Sequence, residues 1–566
     1  MVPVRSPLGR PAIACLAAAA AYLVAGAAAM LVLAPRTPYA DQWRLYAKLL
    51  EQPFLAGVVS ADNGHREVLP NLVRWITLHG LDGQAAAAIV LGLVLALAAA
   101  GIWLRSIAGA RIDAGRRAAA ALIAVLGLFW LGNERALAHD HESVRVYLIV
   151  LCLFGALVQV ARPQPTLRAT VAATLLALLA TLSFGSGIAS FAALAVVLAL
   201  GRARSAAWVV LLAGLATALA LYLGGATASV TGTLVIDPAA QAIVLLRWLA
   251  TPFVYVLWPL VDPAVAGQLP GGVTARAATA IAVAFTNLFG PVQTSPLPQA
   301  LVGAAGGLAL LAASWRAWRA PADTDPARRV ALGIAWFGLA VGGLVAISRT
   351  GYFIQFPDQV HAPRYLPWSS LFWAGLLVAA VLRPGGRLRP AAVLAVALLV
   401  LPSTFWMVLL ARSMQVRAEQ VATAAAVGVL PPDLALGETV ADELAAALPL
   451  LADRGIAMYA WPEVRCLGKP VQAGAVRPVA VRELHVETTG NRLGQPGLRI
   501  TYREDEDGAA GRRMILDAGG TLRGLALPDP AAGPGRWHGW VTDAGANGEG
   551  FSPLIVQAIG EPLCEP

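Results

Sequence analysis

The chain has 566 residues, of which 58% are hydrophobic and 13% charged, with a mean hydropathy of +0.66 and a formal net charge of +9. A soluble protein carries roughly a quarter charged residues, so the composition excludes an ordinary soluble enzyme and describes a polytopic membrane protein. The positive charge is nearly all arginine, since Lys48 and Lys469 are the only lysines. Those arginines stand in short stretches beside apolar segments, a pattern of topology signalling and not of a nucleic-acid surface. Abundant alanine and arginine with so few lysines also suggests a GC-rich bacterial genome.

Arg5 and Arg10 precede an apolar run from Pro11 to Ala34. The run is too long for the core of a signal peptide and lacks a clean small-x-small cleavage site, so it is expected to be a retained first transmembrane helix. The stretch Tyr39–Asp82 follows, and it gathers the ionisable residues that the apolar segments lack: Asp41, Glu51, Asp62, His65, Arg66, Glu67, Arg74, His79 and Asp82. Leu45, Tyr46, Leu49 and Leu50 fall at helical spacing with Arg44, Lys48 and Glu51 on other faces, which predicts an amphipathic helix lying in the membrane interface. Asn63-Gly64 signals a turn, and Pro70 suits the first turn of a second short helix.

Further apolar segments of spanning length lie at about 83–104, 118–132, 144–161, 169–183, 185–200, 206–223, 298–314, 330–347, 367–382 and 391–411, with a weaker pair at about 242–260 and 276–290 that either spans or re-enters. The whole predicts an all-α bundle of about 11–13 transmembrane helices over residues 1–411, with a large first outer loop at 35–82. Arginines at 105–117, 162–168, 202–204, 316–329 and 383–389 fit one parity, with those stretches and the N-terminus cytoplasmic. Residues 39–82, Asn133–Ser143, Ser348–Leu366 and the tail after Arg412 then face the periplasm of a bacterial inner membrane. His65, His79, His139, His141 and His361 all fall in stretches assigned to the outside. Arg145 and Arg247 lie near predicted span ends, where they can snorkel. The middles of the spans hold almost no ionisable residues, which counts against ion-coupled transport.

Residues 412–566 predict a soluble β-rich α+β domain. Helical patterns at 413–427 and 438–453 give way, from about Ala457, to Gly/Pro-punctuated alternation such as Leu498, Ile500 and Tyr502. Glu504–Asp507 before Gly508 suits a solvated hairpin turn or, less simply, a calcium loop. Cys15 and Cys152 are expected as inert packing residues, and Cys466 and Cys564 as a structural disulfide in an oxidising compartment. Trp537 and Trp540 suit either the core of the domain or a sugar-stacking platform. Walker, dinucleotide and serine-hydrolase motifs are absent from the sequence.

Asp41 in YADQW, His65-Arg66 in DNGHRE and Arg364-Tyr365 in HAPRY, set in a many-helix architecture, resemble the GT-C glycosyltransferases. There is also likeness to a group of bacterial multi-pass membrane proteins with an acidic-x-Trp opening and an Asn-x-His-Arg follow-up. The resemblance implies a transferase using a polyprenyl-phosphate-linked sugar, with a glycan or lipid acceptor at the periplasmic face. Asp41 is then the general base, or, as its position before a helical run equally allows, a helix cap. Arg66 would bind the carrier phosphate beside His65 and Glu67, or form a surface pair with Asp62 or Glu67. His139, Asp140, His141 and Glu142 form an HDHE cluster that could hydrogen-bond substrate or ligate a divalent metal. The metal is left open, because Gln42 follows Asp41 where some members carry a second acidic residue. Arg349, Tyr352, Asp358, His361, Arg364 and Tyr365 offer further substrate contacts, with Arg364 at the depth of a lipid phosphate. Asp41, the His65/Arg66 pair and Arg364 are expected to line one cavity. The alternatives are a transporter of glycolipid or polysaccharide and a non-catalytic envelope assembly subunit.

Overall fold

A computed structural model describes residues 9–62, 64–162, 164–224, 235–266, 272–321, 324–386, 388–504, 511–529, 533, 535–542 and 551–565. Arg5, Asn63, Arg387 and the greater part of the acidic run, 505–507, lie outside the described residues. The chain folds as two compact units. One comprises Met1–Ala34, Val58–Asn71 and Ala88–Ala411, the other Pro35–Gly57, Leu72–Ala87 and Arg412–Pro566.

The first unit is a helical bundle. Among the described residues eight helices are long and apolar enough to cross a membrane: Arg10–Val32, Ala86–Ala108, Ala114–Leu137, Asp140–Val160, Ser205–Tyr222, Pro296–Arg319, Pro326–Gln355 and Pro390–Val427. Pro238–Leu249 and Thr251–Val261 meet at a 61° bend, the shape of a broken span or of a re-entrant loop, and Leu167–Ser183, Gly185–Leu200 and Arg276–Phe289 are shorter apolar helices. The bend falls before Pro252, which has no N–H to give the preceding turn. Helix starts follow local chemistry. Asp113, Thr166, Asp237 and Asp325 each accept a capping hydrogen bond from a backbone N–H two or three residues on, and proline follows directly at 238 and 326. Small residues set the packing distance. A Cβ on Gly375 would stand 2.6 Å from the Ala331 carbonyl oxygen, so helices 326–355 and 366–381 meet backbone to backbone.

Two expected loops are helical instead. Asn133–Ser143 consists of a 3-10 turn, Leu131–Asn133, a helical turn, Glu134–Leu137, and the start of helix Asp140–Val160, and its charged side chains are buried. Ser348–Gln355 is the end of the helix that begins at Pro326, and only Pro357–His361 and Pro363–Tyr365 form the turns that follow. In the first stretch the charged side chains pair with one another, and in the second Ser348 and Thr350 donate to carbonyls one turn back in their own helix.

The second unit packs helices on one face of a seven-stranded antiparallel sheet. Its strand order is Val476–Pro478, Leu554–Ala558, Arg513–Leu516, Leu522–Pro528, Arg536–Val541, Gly497–Glu504, Val481–Thr489. Side chains alternate between the faces. Leu498, Ile500, Tyr502, Trp537 and Val541 fill one core, and Met514, Leu525, Trp540 and Val556 fill the other with the helices. Both tryptophans are therefore core residues and neither forms a sugar platform. Glu504 is likewise not in a solvated turn. It pairs through both oxygens with Arg513 at 2.9 and 3.0 Å, the two side chains being 2% and 1% exposed. Cys466 and Cys564 form a disulfide with Cα atoms 5.8 Å apart.

The amphipathic helix is Gln42–Glu51, but protein covers its apolar face. Trp43, Tyr46, Leu49 and Leu50 share a core with Leu444, Leu448 and Leu451 of helix Ala441–Arg454, and Arg44 donates to Glu443 at 2.6 Å. An apolar stripe suits lipid and protein equally, and here a second helix supplies the complementary face.

Candidate functional site

A two-residue hairpin begins the site. Ala61–Asp62 pairs with His65–Arg66, and Gly64 at φ +75° takes the left-handed conformation that the turn needs. This delivers His65, Arg66 and Glu67 in succession just before helix Val68–Gly80. Glu67 is buried and accepts from Arg145 Nη1 at 2.7 Å. The same guanidinium pairs with Glu142, one turn earlier on its own helix, and lies 4.2 Å above the Phe184 ring. Arg145 thus turns inward between two carboxylates and does not snorkel.

The network extends through the HDHE cluster. Glu142 lies 3.8 Å from Arg135 Nε and 3.9 Å from His141 Nε2, His141 Nδ1 lies 3.6 Å from Asp140, and His139 Nε2 lies 3.9 Å from Glu134. These are ion-pair separations, longer than hydrogen bonds, and every member is buried. Burial and the nearby Arg135 charge hold His139 well below the usual imidazole range, so it is neutral. Among the described residues no group of three His, Cys, Asp or Glu side chains is placed to hold a metal ion. Of the cluster's two carboxylates, Glu142 is taken up by Arg135 and Arg145 while Asp140 lies beside His141.

His65 stands beside this network. Its ring is 4.2 Å from that of Phe184, and its Nδ1 shares a 2.6 Å hydrogen bond with the Tyr222 hydroxyl. Burial, then the Arg145 charge, push its pKa down to about 4, with Arg349 adding to the effect and Glu67 opposing it. Neutral His65 can donate or accept this hydrogen bond according to its tautomer. Arg66 donates to the Gly224 carbonyl and not to Asp62 or Glu67. The crevice that Arg66 and Tyr222 line holds about 10 Å³, room for no more than one water.

The remaining predicted residues divide. Arg349 and Tyr352 occupy the last turns of helix 326–355, where Arg349 bears electrostatically on His65 and Tyr352 packs against Phe353 and Phe356. Arg364 is exposed, with its guanidinium 5.0 Å from the Tyr365 ring and within electrostatic reach of Arg135 and Tyr352. Asp358 instead accepts from the Gln359 amide at 3.0 Å. His361 is a core residue: its Nδ1 is 3.0 Å from Thr251 Oγ1, and burial with the Arg247 charge pushes its pKa down to about 3. Arg247 also turns inward, donating to Gln299 and to the Pro357 carbonyl.

Asp41 belongs to the second unit, whereas His65, Arg66 and Arg364 belong to the first. It occupies the N-cap position of helix 42–51, but its side chain accepts no capping hydrogen bond. The carboxylate is 49% exposed and 3.5 Å from Arg44. It is available to solvent in a way that the buried carboxylates are not.

Sequence reasoning missed Glu134, Arg135, Arg145, Phe184 and Tyr222 as members of the site. One signal was present. Seven ionisable residues between Glu134 and Arg145 are too many for the mouth of a span unless they pair with one another. No protein-family model matches the chain, and no curated protein matches it.

Proposed function

We propose that the protein is an integral-membrane glycosyltransferase of the GT-C kind, taking a sugar from a polyprenyl-phosphate carrier to an envelope glycan or lipid. What carries the reading is the gathering of Glu67, Glu142, Arg145, Arg349 and neutral His65 around one hairpin of a multi-pass bundle. Sugar transfer with inversion forms the bond from acceptor oxygen to anomeric carbon while the bond to the carrier phosphate breaks. The acceptor proton goes to a carboxylate and the electron pair leaves on phosphate, whose growing charge a guanidinium stabilises. Asp41, half exposed and uncapping, is the base in this reading, and Arg364 the phosphate partner. The bent pair and shorter apolar helices also cross, giving about 11–13 spans, with the N-terminus cytoplasmic and the tail periplasmic in a bacterial inner membrane.

Carrier-dependent sugar transfer in membranes from cells making or lacking the protein tests the activity. Equal transfer in both ends the enzyme reading in favour of a transporter or an assembly subunit. Asp41→Asn should lower transfer by roughly 10²–10⁴-fold at unchanged protein level if the carboxylate is the general base. Full activity in that variant removes Asp41 from the chemistry. Orientation is tested by single-cysteine labelling of intact cells with an impermeant reagent. Labelling in 315–329 with none in 39–82 reverses it.

A further inference from the structure

Two adjacent buried arginines open the helix Pro326–Gln355, and they are treated very differently. Arg329, 1% exposed, donates to the Ala161 carbonyl at 3.0 Å and to the Pro321 carbonyl at 2.6 Å. Arg328, 5% exposed, has a buried Nε with no hydrogen-bond partner and no ion pair among the described residues. Arg383 and Arg316, both of its own sign, act on it electrostatically. The nearby carboxylate is occupied elsewhere: Asp325 accepts from the backbone N–H groups of Ala327 and Arg111. A buried cation without an opposite charge is costly, by several kcal/mol in typical cases, unless an anion completes the set.

We propose that Arg328, Arg316 and Arg383 form a binding site for the phosphate groups of an anionic phospholipid. Arg316 sits in the last turn of helix 296–319, Arg328 in the first turn of helix 326–355, and Arg383 just beyond helix 366–381. Three guanidiniums at the ends of three apolar helices lie at the depth of lipid headgroups, which selects a lipid over a soluble anion. Arg316 and Arg383 are exposed and can close on a ligand, while Arg328 provides the fixed, dry end of the site. Three positive charges match a headgroup with two phosphodiesters better than one with a single phosphate. The site is independent of the proposed transfer chemistry.

The test uses the full-length protein in neutral detergent, with native mass spectrometry counting retained lipid. Diphosphatidylglycerol should bind best, phosphatidylglycerol less and phosphatidylethanolamine not measurably. Arg328→Gln should weaken retention of diphosphatidylglycerol about tenfold, as expected for losing one charged hydrogen-bonding partner. Because a buried substitution can disturb folding, the exposed pair Arg316→Gln with Arg383→Gln is measured beside it and should weaken retention similarly. Unchanged retention in the double variant overturns the site. Displacement of the lipid by millimolar inorganic pyrophosphate, with no preference among lipids, assigns the arginines to a soluble phosphate and overturns the lipid reading.

Discussion

The Glu504–Arg513 pair of the tail and the Glu67–Arg145–Glu142 network of the bundle are both buried, yet they are built to different standards. The first is closed: two parallel hydrogen bonds join one carboxylate to one guanidinium, capped by Trp537 at 4.4 Å. The second is loosely fastened. Arg145 donates to Glu67 at 2.7 Å, whereas the pairs Arg135–Glu142, Glu134–His139, Asp140–His141 and His141–Glu142 stand 3.6–3.9 Å apart. The closed pair ties strand 497–504 to strand 513–516 with both carboxylate oxygens engaged. Carboxylates, arginines and a neutral histidine at such separations can re-pair around a charged group.

Breaking the closed pair should give the largest effect. Glu504→Ala strands Arg513 and should cost about 3–5 kcal/mol of tail stability, seen as early proteolysis of the tail on heating. The double variant Glu504→Leu with Arg513→Met should recover most of it, since apolar side chains fill the same space. In the loose network, Glu67→Gln keeps an acceptor for Arg145 and leaves Glu142 in place. It should cost only about 1–2 kcal/mol of stability while lowering transfer at least about tenfold. A stability loss as large as that of Glu504→Ala, with transfer intact, would make the two groups alike.

Acidification should separate them too. His65 titrates near 4 when folded and near 6.5 when unfolded, so below pH 6.5 the unfolded chain takes up a proton that the folded one refuses. Bundle stability should therefore fall as pH drops from about 6.5 to about 4, and His65→Gln should flatten part of that slope in melting curves. An unaltered slope in the variant would mean that His65 contributes nothing to it. The smallest change is Tyr222→Phe, which removes only the hydroxyl partner of His65 and should cost about 0.5–1.5 kcal/mol. Thermal unfolding in detergent would detect it.

Much of the fold was legible because apolar length and start signals are local. The Asp-Pro pairs at 237–238 and 325–326 begin helices, and the alternation Leu498, Ile500, Tyr502 faces one core. What covers a surface is not local. The stripe of helix 42–51 cannot tell lipid from Leu448, and Trp537 cannot tell a sugar from Tyr502. The site shows the same division. His65, Glu67 and the HDHE cluster were visible as charge out of place, whereas Tyr222 and Phe184 carry no mark in sequence. They joined only when helix 205–223 and the turn after Ser183 packed beside the hairpin.

The salt bridge from Arg44 to Glu443 spans 399 positions of sequence. During synthesis at roughly 5–20 residues per second, the partner of helix 42–51 emerges about 20–80 s after the helix itself. For that interval Trp43, Tyr46, Leu49 and Leu50 lack the cover that helix 441–454 later gives them, and a stripe of this kind binds a bilayer surface. The amphipathic pattern can then serve two hosts in turn, lipid before helix 441–454 is made and that helix afterwards.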